Sequence, residues 1–266
     1  MMLLISDVDG TLVDTAKQLT PGTIAAVKRL QDAGFGFTII SARPMSGIAP
    51  IAEALGLDVP MGAFNGGTVF LRGGEILCHH RIHPDVARGA VAQAGDLPVD
   101  TWLFAGDQWY ATSVDNPHVA SERVSSNQEP VICAGFDDLL DHADKITFVS
   151  DDPAVLDGLR DTLVAQFGDQ ATIAKSQPYY LDITATRANK GDGVAMLADA
   201  LGFSLDRTIV IGDQANDLPM FARANRAIAM GNATDEVKAQ AGDVTIANSE
   251  DGVAHAIDRF ILGRMM

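Results

Sequence analysis

The sequence predicts an α/β protein: a Rossmann-like, doubly wound parallel-sheet core interrupted by an inserted α+β module. Three observations point to it. Short apolar runs alternate with amphipathic stretches in both terminal parts of the chain. The middle breaks that alternation and reads as hairpins. Three core runs end abruptly in Asp7-Val8-Asp9, Ser41 and Gly212-Asp213. Parallel sheets bind ligands beyond the carboxyl ends of their strands, so polar residues gathered there are candidates for chemistry.

The elements follow in order. Leu3-Leu4-Ile5 is a strand cut off by the turn-forming Ser6-Asp7-Val8-Asp9-Gly10. Thr20-Pro21 supplies an N-cap and a proline at the first helical position; Ile24, Val27 and Leu30 share one face, and Gly34 ends the helix. Residues 35–40 form the next strand, and Ile48, Ile51, Ala52 and Leu55 mark a second helix stopped by Gly56. Gly73-Gly74 turns a hairpin between 68–71 and 75–78. From 81 to 186 the pattern changes, and both tryptophans and all three tyrosines fall there. Residues 103–105 and 109–114 form a hairpin across Gly106-Asp107, 145–149 a strand, 153–167 an amphipathic helix, and 172–174 with 180–183 a strand pair. The winding then resumes: a helix over 191–201, a strand over 208–211, a helix from about Asn216, short strands at 227–230 and 244–247, and a last helix over 253–262. The expected division is a core of 1–80 and 187–266 around an inserted module of 81–186.

Composition bounds the function. The chain has 266 residues, 47% of them hydrophobic and 20% charged, which is ordinary for a folded protein of one large or two modest domains. Its net charge of −16 repels the phosphates of nucleic acid and argues against that partner. The same field opposes small phosphates unless a local cation inverts it, so a phosphate-handling site here needs a metal. No apolar stretch approaches a membrane span and the first residues lack a signal-peptide pattern, so a cytoplasmic protein is expected. Cys78 and Cys133 are read as free thiols, the six histidines as surface residues without metal spacing, and no obligate protein partner is evident.

Asp7 and Asp9 stand two apart at a strand end, where a turning backbone lets both side chains enter one site. Two crowded carboxylates titrate apart, one ionised as a nucleophile and the other able to hold a proton. Work on a leaving oxygen needs that division. Ser41, with the Ala42 N–H, is a candidate donor to phosphate oxygens. Lys190 sits at a helix start against the macrodipole, a placement that makes sense if both positive ends serve one phosphate. Asp213 and Asp217, in Gly-Asp-Gln-Ala-Asn-Asp, offer the hard oxygen ligands that Mg²⁺ takes. Each feature alone has a plainer reading as a turn former, a helix cap, a solvated lysine or a dipole-favoured aspartate.

Taken together, Asp7-Val8-Asp9-Gly10-Thr11-Leu12-Val13, Ser41-Ala42-Arg43, Asn189-Lys190-Gly191 and Gly212-Asp213-Gln214-Ala215-Asn216-Asp217 occur in an order that resembles the four motifs of the haloacid dehalogenase superfamily, in its Cof-type phosphatase branch. Asn65-Gly66-Gly67, Asn248 and Asp251-Gly252 are similar to that branch as well, and the insertion falls where the branch carries a large α/β cap. The resemblance implies a Mg²⁺-dependent phosphatase for small phosphorylated metabolites such as sugar phosphates, working through an aspartyl-phosphate. Asp7 would attack phosphorus, and Asp9 would protonate the leaving alcohol and then deprotonate the hydrolytic water. Ser41 and Lys190 would hold the phosphoryl oxygens, with Ala42, Arg43 and Asn216 beside them. Mg²⁺ would sit on Asp7, the main-chain carbonyl of Asp9, and Asp213, with Asp217 nearby. Ala42 and Gln214 depart from the usual motif residues, but no functional side chain is lost. A phosphomutase or phosphotransferase on the same scaffold is the first rival reading, and a non-catalytic metal- or ligand-binding protein the second. Asp115, Asn116, Tyr179 and Tyr180 are the candidates for the lining of the cap.

Overall fold

The computed structural model describes residues 1–265. Its core is a five-stranded parallel sheet in the order Asp243–Val244, Arg226–Ala229, Thr208–Gly212, Leu3–Ser6, Gly36–Ile39. Leu3–Ser6 lies in the middle, with Leu3 opposite both Thr208 and Gly36. All four of its residues are buried, as expected of a strand covered on both faces. Strand alternation sends Leu3 and Ile5 to one face, against Val194, Leu197 and Met220. Leu4 goes to the other, among Val27, Ile48 and Ile257. Replacing such a residue by alanine costs roughly 2–5 kcal/mol.

Helix Pro21–Asp32 starts as the sequence says, with the Thr20 hydroxyl accepting from Thr23 N at 3.0 Å. The strand expected from residue 35 begins at Gly36 instead, because Phe35 N still bonds Leu30 O in the helix-ending turn. Helix Pro153–Phe167 has the predicted bounds. The strand expected over 244–247 shortens to Asp243–Val244, and after Gly252–Ala256 the last helix widens into a π turn over Ile257–Ile261 and then tightens into a 3₁₀ turn.

A second sheet is built wholly from residues 100–185. Its order is Ala171–Gln177, Tyr180–Ala185, Ala143–Val149, Asp100–Ala105, Gln108–Ala111, Val131–Ile132. One face, with Leu103, Ile146, Phe148, Leu181 and Ile183, packs on helices Pro84–Ala94 and Pro153–Phe167. The opposite face turns Trp102, Phe104, Trp109 and Tyr180 into the cluster that contains the core residues. Helix Pro84–Ala94 escaped the sequence reading because its buried stripe is mostly alanine. Gly89 in that helix has a structural reason: a Cβ there would lie 2.3 Å from Phe167 Cζ. Helices Val119–Ser126 and Asp235–Ala239 and strand Met61–Ala63 were missed as well. A three-stranded antiparallel sheet, Met61–Ala63, Thr68–Phe70, Ile76–His79, leads out of the core. His79 corrects the surface reading of the histidines: its Nε2 lies 2.5 Å from Oδ1 of buried Asp144, tying this sheet to the second one. Among the described residues no helix is long and apolar enough to cross a membrane.

Candidate active site

The carboxyl end of the central strand carries the chemistry. Asp7 N extends the ladder to Ile211 O at 2.9 Å, and the backbone then coils through Val8–Leu12. Gly10 adopts φ +78°, and a Cβ there would meet Asp213 Oδ2 at 2.4 Å, so only glycine lets the loop approach that carboxylate. Val8 is wholly buried, while Asp7 and Asp9 both line the cleft above it. The two-residue spacing brings both carboxylates to one cleft.

Asp7 is 5% exposed, and Lys190, 1% exposed, lies against it with Nζ–Oδ1 at 2.5 Å. The same ammonium is 2.5 Å from Asp217 Oδ1. Lys190 occupies the first turn of helix Lys190–Ala200, whose start is fixed by Asn189 Oδ1 accepting from Asp192 N. Asp213 follows strand Thr208–Gly212 and accepts from Thr11 Oγ1 at 3.0 Å, Gln214 Nε2 at 3.2 Å and Asn232 Nδ2 at 3.3 Å. Asp217 Oδ2 accepts from the backbone N–H of Asp213 at 2.8 Å and of Gln214 at 2.9 Å. With Lys190 on its other oxygen, Asp217 is heavily engaged. Its geometry is that of a brace for Lys190 and for the Asp213 loop.

Ligand oxygens of Asp7, Asp213 and Asp217 lie within 4.8 Å of one another. Three buried carboxylates against one ammonium leave an excess of negative charge, and every donor is a hard oxygen, which suits a divalent cation such as Mg²⁺. Lys190 engages Asp7 Oδ1, which leaves Asp7 Oδ2 without a hydrogen bond among the described residues. The residues present fit the ion.

The same crowding sets the protonation. Burial pushes the Asp7 carboxyl well up; Lys190 opposes the rise, and Asp217 and Asp213 add to it. Burial, then the Asp217 charge, carries Asp213 up to about 7. Burial disfavours the Lys190 charge, but Asp217 and Asp7 outweigh it and hold the lysine protonated. Asp9 goes the other way. Its burial is overcome by Arg43, which grips both oxygens at 2.7 and 2.8 Å, with Lys17 assisting, and the carboxyl drops below its ordinary value.

Ser41, 1% exposed, receives the Arg43 N–H on its Oγ at 3.2 Å, and its own proton has no acceptor among the described residues. The Ala42 N–H is likewise uncommitted, while its carbonyl accepts Lys145 Nζ at 3.2 Å. Asn216 donates to Asn65 Oδ1 at 3.3 Å, and its own Oδ1 is buried without a partner. These residues line one cleft together with Lys17, Glu122, Ser125, Lys145, Ser176, Gln177 and Tyr180.

Of the residues expected in the cap lining, Tyr180 is there. Asp115, Asn116 and Tyr179 are not. Asp115 is exposed and bonds Ser113, Asn116 Nδ2 bonds Asp100, and Tyr179 stacks on His118 at 3.8 Å. Lys17, Glu122 and Lys145 were missed. Lys145 lay inside an apolar strand, where only its charge among Ile146 and Phe148 marked it. Glu122 carried no signal, because its helix was not recognised.

The haloacid dehalogenase-like hydrolase family model matches residues 4–257. The HMP-PP phosphatase of Klebsiella pneumoniae is 27% identical over 88% of this chain and 85% of its own. The 5-amino-6-(5-phospho-D-ribitylamino)uracil phosphatase of Bacillus subtilis is 26% identical over 98% and 96%. A haloacid dehalogenase-like hydrolase of Bacteroides thetaiotaomicron superposes with a TM-score of 0.84 at 26% identity, over 98% of this chain and 99% of that one. With the match running over residues 4–257, from the first core strand to the last helix, the chain belongs to the haloacid dehalogenase-like hydrolase family.

Proposed function

We propose that this chain is a Mg²⁺-dependent phosphatase that hydrolyses small phosphomonoesters, sugar phosphates or similar metabolites, through an aspartyl-phosphate on Asp7. The observation that carries the reading is the buried Asp7 carboxylate, held by Lys190 and standing two residues from Asp9 in the same cleft. The expected division of protonation is reversed here, burial raising the Asp7 carboxyl and Arg43 lowering that of Asp9. Phosphoryl transfer needs positioning and neutralisation of charge more than unusual reactivity. When bound, the metal ion neutralises charge on the transferring oxygens.

The chain's own residues do the rest. Asp7 Oδ2 attacks phosphorus in line, and the bond to the leaving oxygen breaks. Asp9 gives that oxygen a proton, then takes one from the water that attacks the aspartyl-phosphate, which frees Asp7 and releases phosphate. Arg43 favours ionised Asp9, which suits the base step; the acid step requires substrate to loosen that pair. Ser41 Oγ–H and the Ala42 N–H are uncommitted donors for phosphoryl oxygens, and Lys190 holds Asp7 in line while adding charge. Asn216 offers an acceptor and a donor beside them. Residues 81–186 form a cap whose side chains roof the cleft and exclude water from the reacting atoms.

Phosphate release from a panel of sugar phosphates, polyol phosphates and nucleotides, with Mg²⁺ and with EDTA, tests the reading. Metal-dependent release that Asp7→Asn abolishes is expected. Full release in EDTA, or an Asp7→Asn protein within tenfold of wild type, would overturn it.

A further inference from the structure

Four cations gather about the candidate site of a chain with net charge −16, and one of them has no carboxylate within 4.0 Å among the described residues. Lys190 is paired with Asp7 and Asp217. Arg43 grips Asp9, and Lys17 Nζ stands 4.0 Å from the same carboxylate. Lys145 differs. It is 5% exposed, lines the cleft, and has no carboxylate within 4.0 Å among the described residues. Its ammonium gives one hydrogen bond, to the Ala42 carbonyl at 3.2 Å, and sits 4.5 Å from the centre of the Phe104 ring.

An ammonium carries three N–H donors, and only one of them has an acceptor among the described residues. A buried charge without a counter-charge is costly, and natural sites keep one where an anion arrives. Glu122 lines the same cleft but makes no ion pair with Lys145 within 4.0 Å among the described residues. Burial raises the Glu122 carboxyl toward its neutral form, and Lys145 is the first charge to oppose that rise, so Glu122 answers the ammonium only at longer range.

The position decides which anion. Lys145 comes from the second sheet, Ala143–Val149, and not from the core that carries Asp7, Ser41 and Lys190. It lines the same cleft as Asp7, Asp9 and Arg43, and its hydrogen bond goes to the residue next to Arg43. Under the reading above the core residues take the transferred phosphoryl group, which leaves a cation brought in by the second sheet for the leaving part of the substrate.

We propose, resting on the phosphatase reading, that Lys145 is a specificity-determining residue that binds a second anionic group, a carboxylate or a phosphate, on the leaving part of the substrate. The preferred substrates are then small phosphomonoesters of hydroxy acids or of alcohols that bear a further phosphate. Arg43 and Lys17 lie close enough to share that group once substrate draws them from Asp9.

Matched substrates test this. Glycerol 1-phosphate and 3-phosphoglycerate share a three-carbon skeleton and differ by the carboxylate; fructose 6-phosphate and fructose 1,6-bisphosphate differ by a phosphate. Wild-type kcat/KM is expected to favour the more anionic member of at least one pair by about tenfold or more, chiefly through KM, and the pair that responds names the group. Lys145→Met, which keeps the stem over Phe104, should bring that ratio near one, and Lys145→Arg should restore most of it. Two outcomes overturn the inference while sparing the phosphatase reading: wild-type ratios near one in both pairs, or equal losses by Lys145→Met on both members, which would put Lys145 on the transferred phosphoryl group. Hydrolysis of none of the four, and of no other phosphomonoester, would remove both.

Discussion

Asp213→Asn should make the metal-free protein more stable, and the structure gives the size and the pH window. Carrying a carboxyl from its ordinary 3.8 up to about 7 corresponds to about 4 kcal/mol against the ionised form. Asparagine removes that charge. It also loses an acceptor oxygen among Thr11, Gln214 and Asn232, whose bonds to Asp213 run from 3.0 to 3.3 Å. That loss is about 1–2 kcal/mol. The net gain in EDTA at pH 8 is therefore about 2 kcal/mol, or about 4–8 °C in Tm for a chain of this size. The sign follows from the raised folded pKa. The penalty is complete above about pH 7, where folded and unfolded carboxyls are both ionised, and fades as pH falls toward 4. At pH 5 roughly 1.5 kcal/mol remains, which the lost hydrogen bonds offset. Calorimetric melting of both proteins at pH 8 and pH 5 in EDTA reads this directly. Adding Mg²⁺ at a hundredfold excess over Kd should stabilise wild type by about 2.7 kcal/mol and the variant much less. A variant that melts below wild type at pH 8, or an advantage that does not shrink toward pH 5, would refute the electrostatic reasoning. A full wild-type metal shift in the variant would show that Asp213 is not a ligand.

Asp9→Asn should be nearly inactive on alkyl phosphates and less damaged on p-nitrophenyl phosphate, whose leaving group needs little protonation; equal losses on both would remove the acid role. Lys190→Met leaves Asp7 and Asp217 buried around a missing ammonium. It should lower stability by about 3–5 kcal/mol in EDTA, and urea unfolding within 1 kcal/mol of wild type would contradict the brace. Folded phosphoproteins should be poor substrates if the proposed cap over residues 81–186 closes the cleft that Glu122, Lys145 and Tyr180 line with Asp7; efficient turnover of one would exclude a closed roof.

Much of this site was legible because its residues are ordered by the backbone. Asp7, Ser41 and Asp213 follow the ends of adjacent parallel strands, and strand ends are readable from where apolar runs stop. Lys190 was legible as a charge on the wrong end of a helix, and the structure supplies the two aspartates that compensate it. The Arg43–Asp9 pair was not, since 34 residues of chain separate the partners and neither position signals the other. Nor was the way Asp217 spends both its oxygens on Lys190 and on two backbone N–H groups. The cleft roof was the least legible part. Glu122 and Lys145 converge only when the antiparallel sheet has folded over the core, and Tyr179 and Tyr180, adjacent in sequence, point to different surroundings, the former to His118 and the latter to the cleft.

The central claim is a covalent step on Asp7, and rapid acid quench tests it most directly. Enzyme mixed with Mg²⁺ and an aryl phosphate would be quenched within one turnover, reduced with borohydride and digested. The account predicts that the Asp7 side chain alone is phosphorylated and hence reduced, at a level that rises before steady-state phosphate release and is absent from Asp7→Asn. Steady turnover with no label on Asp7 at any quench time, or label on a different carboxylate, would contradict it.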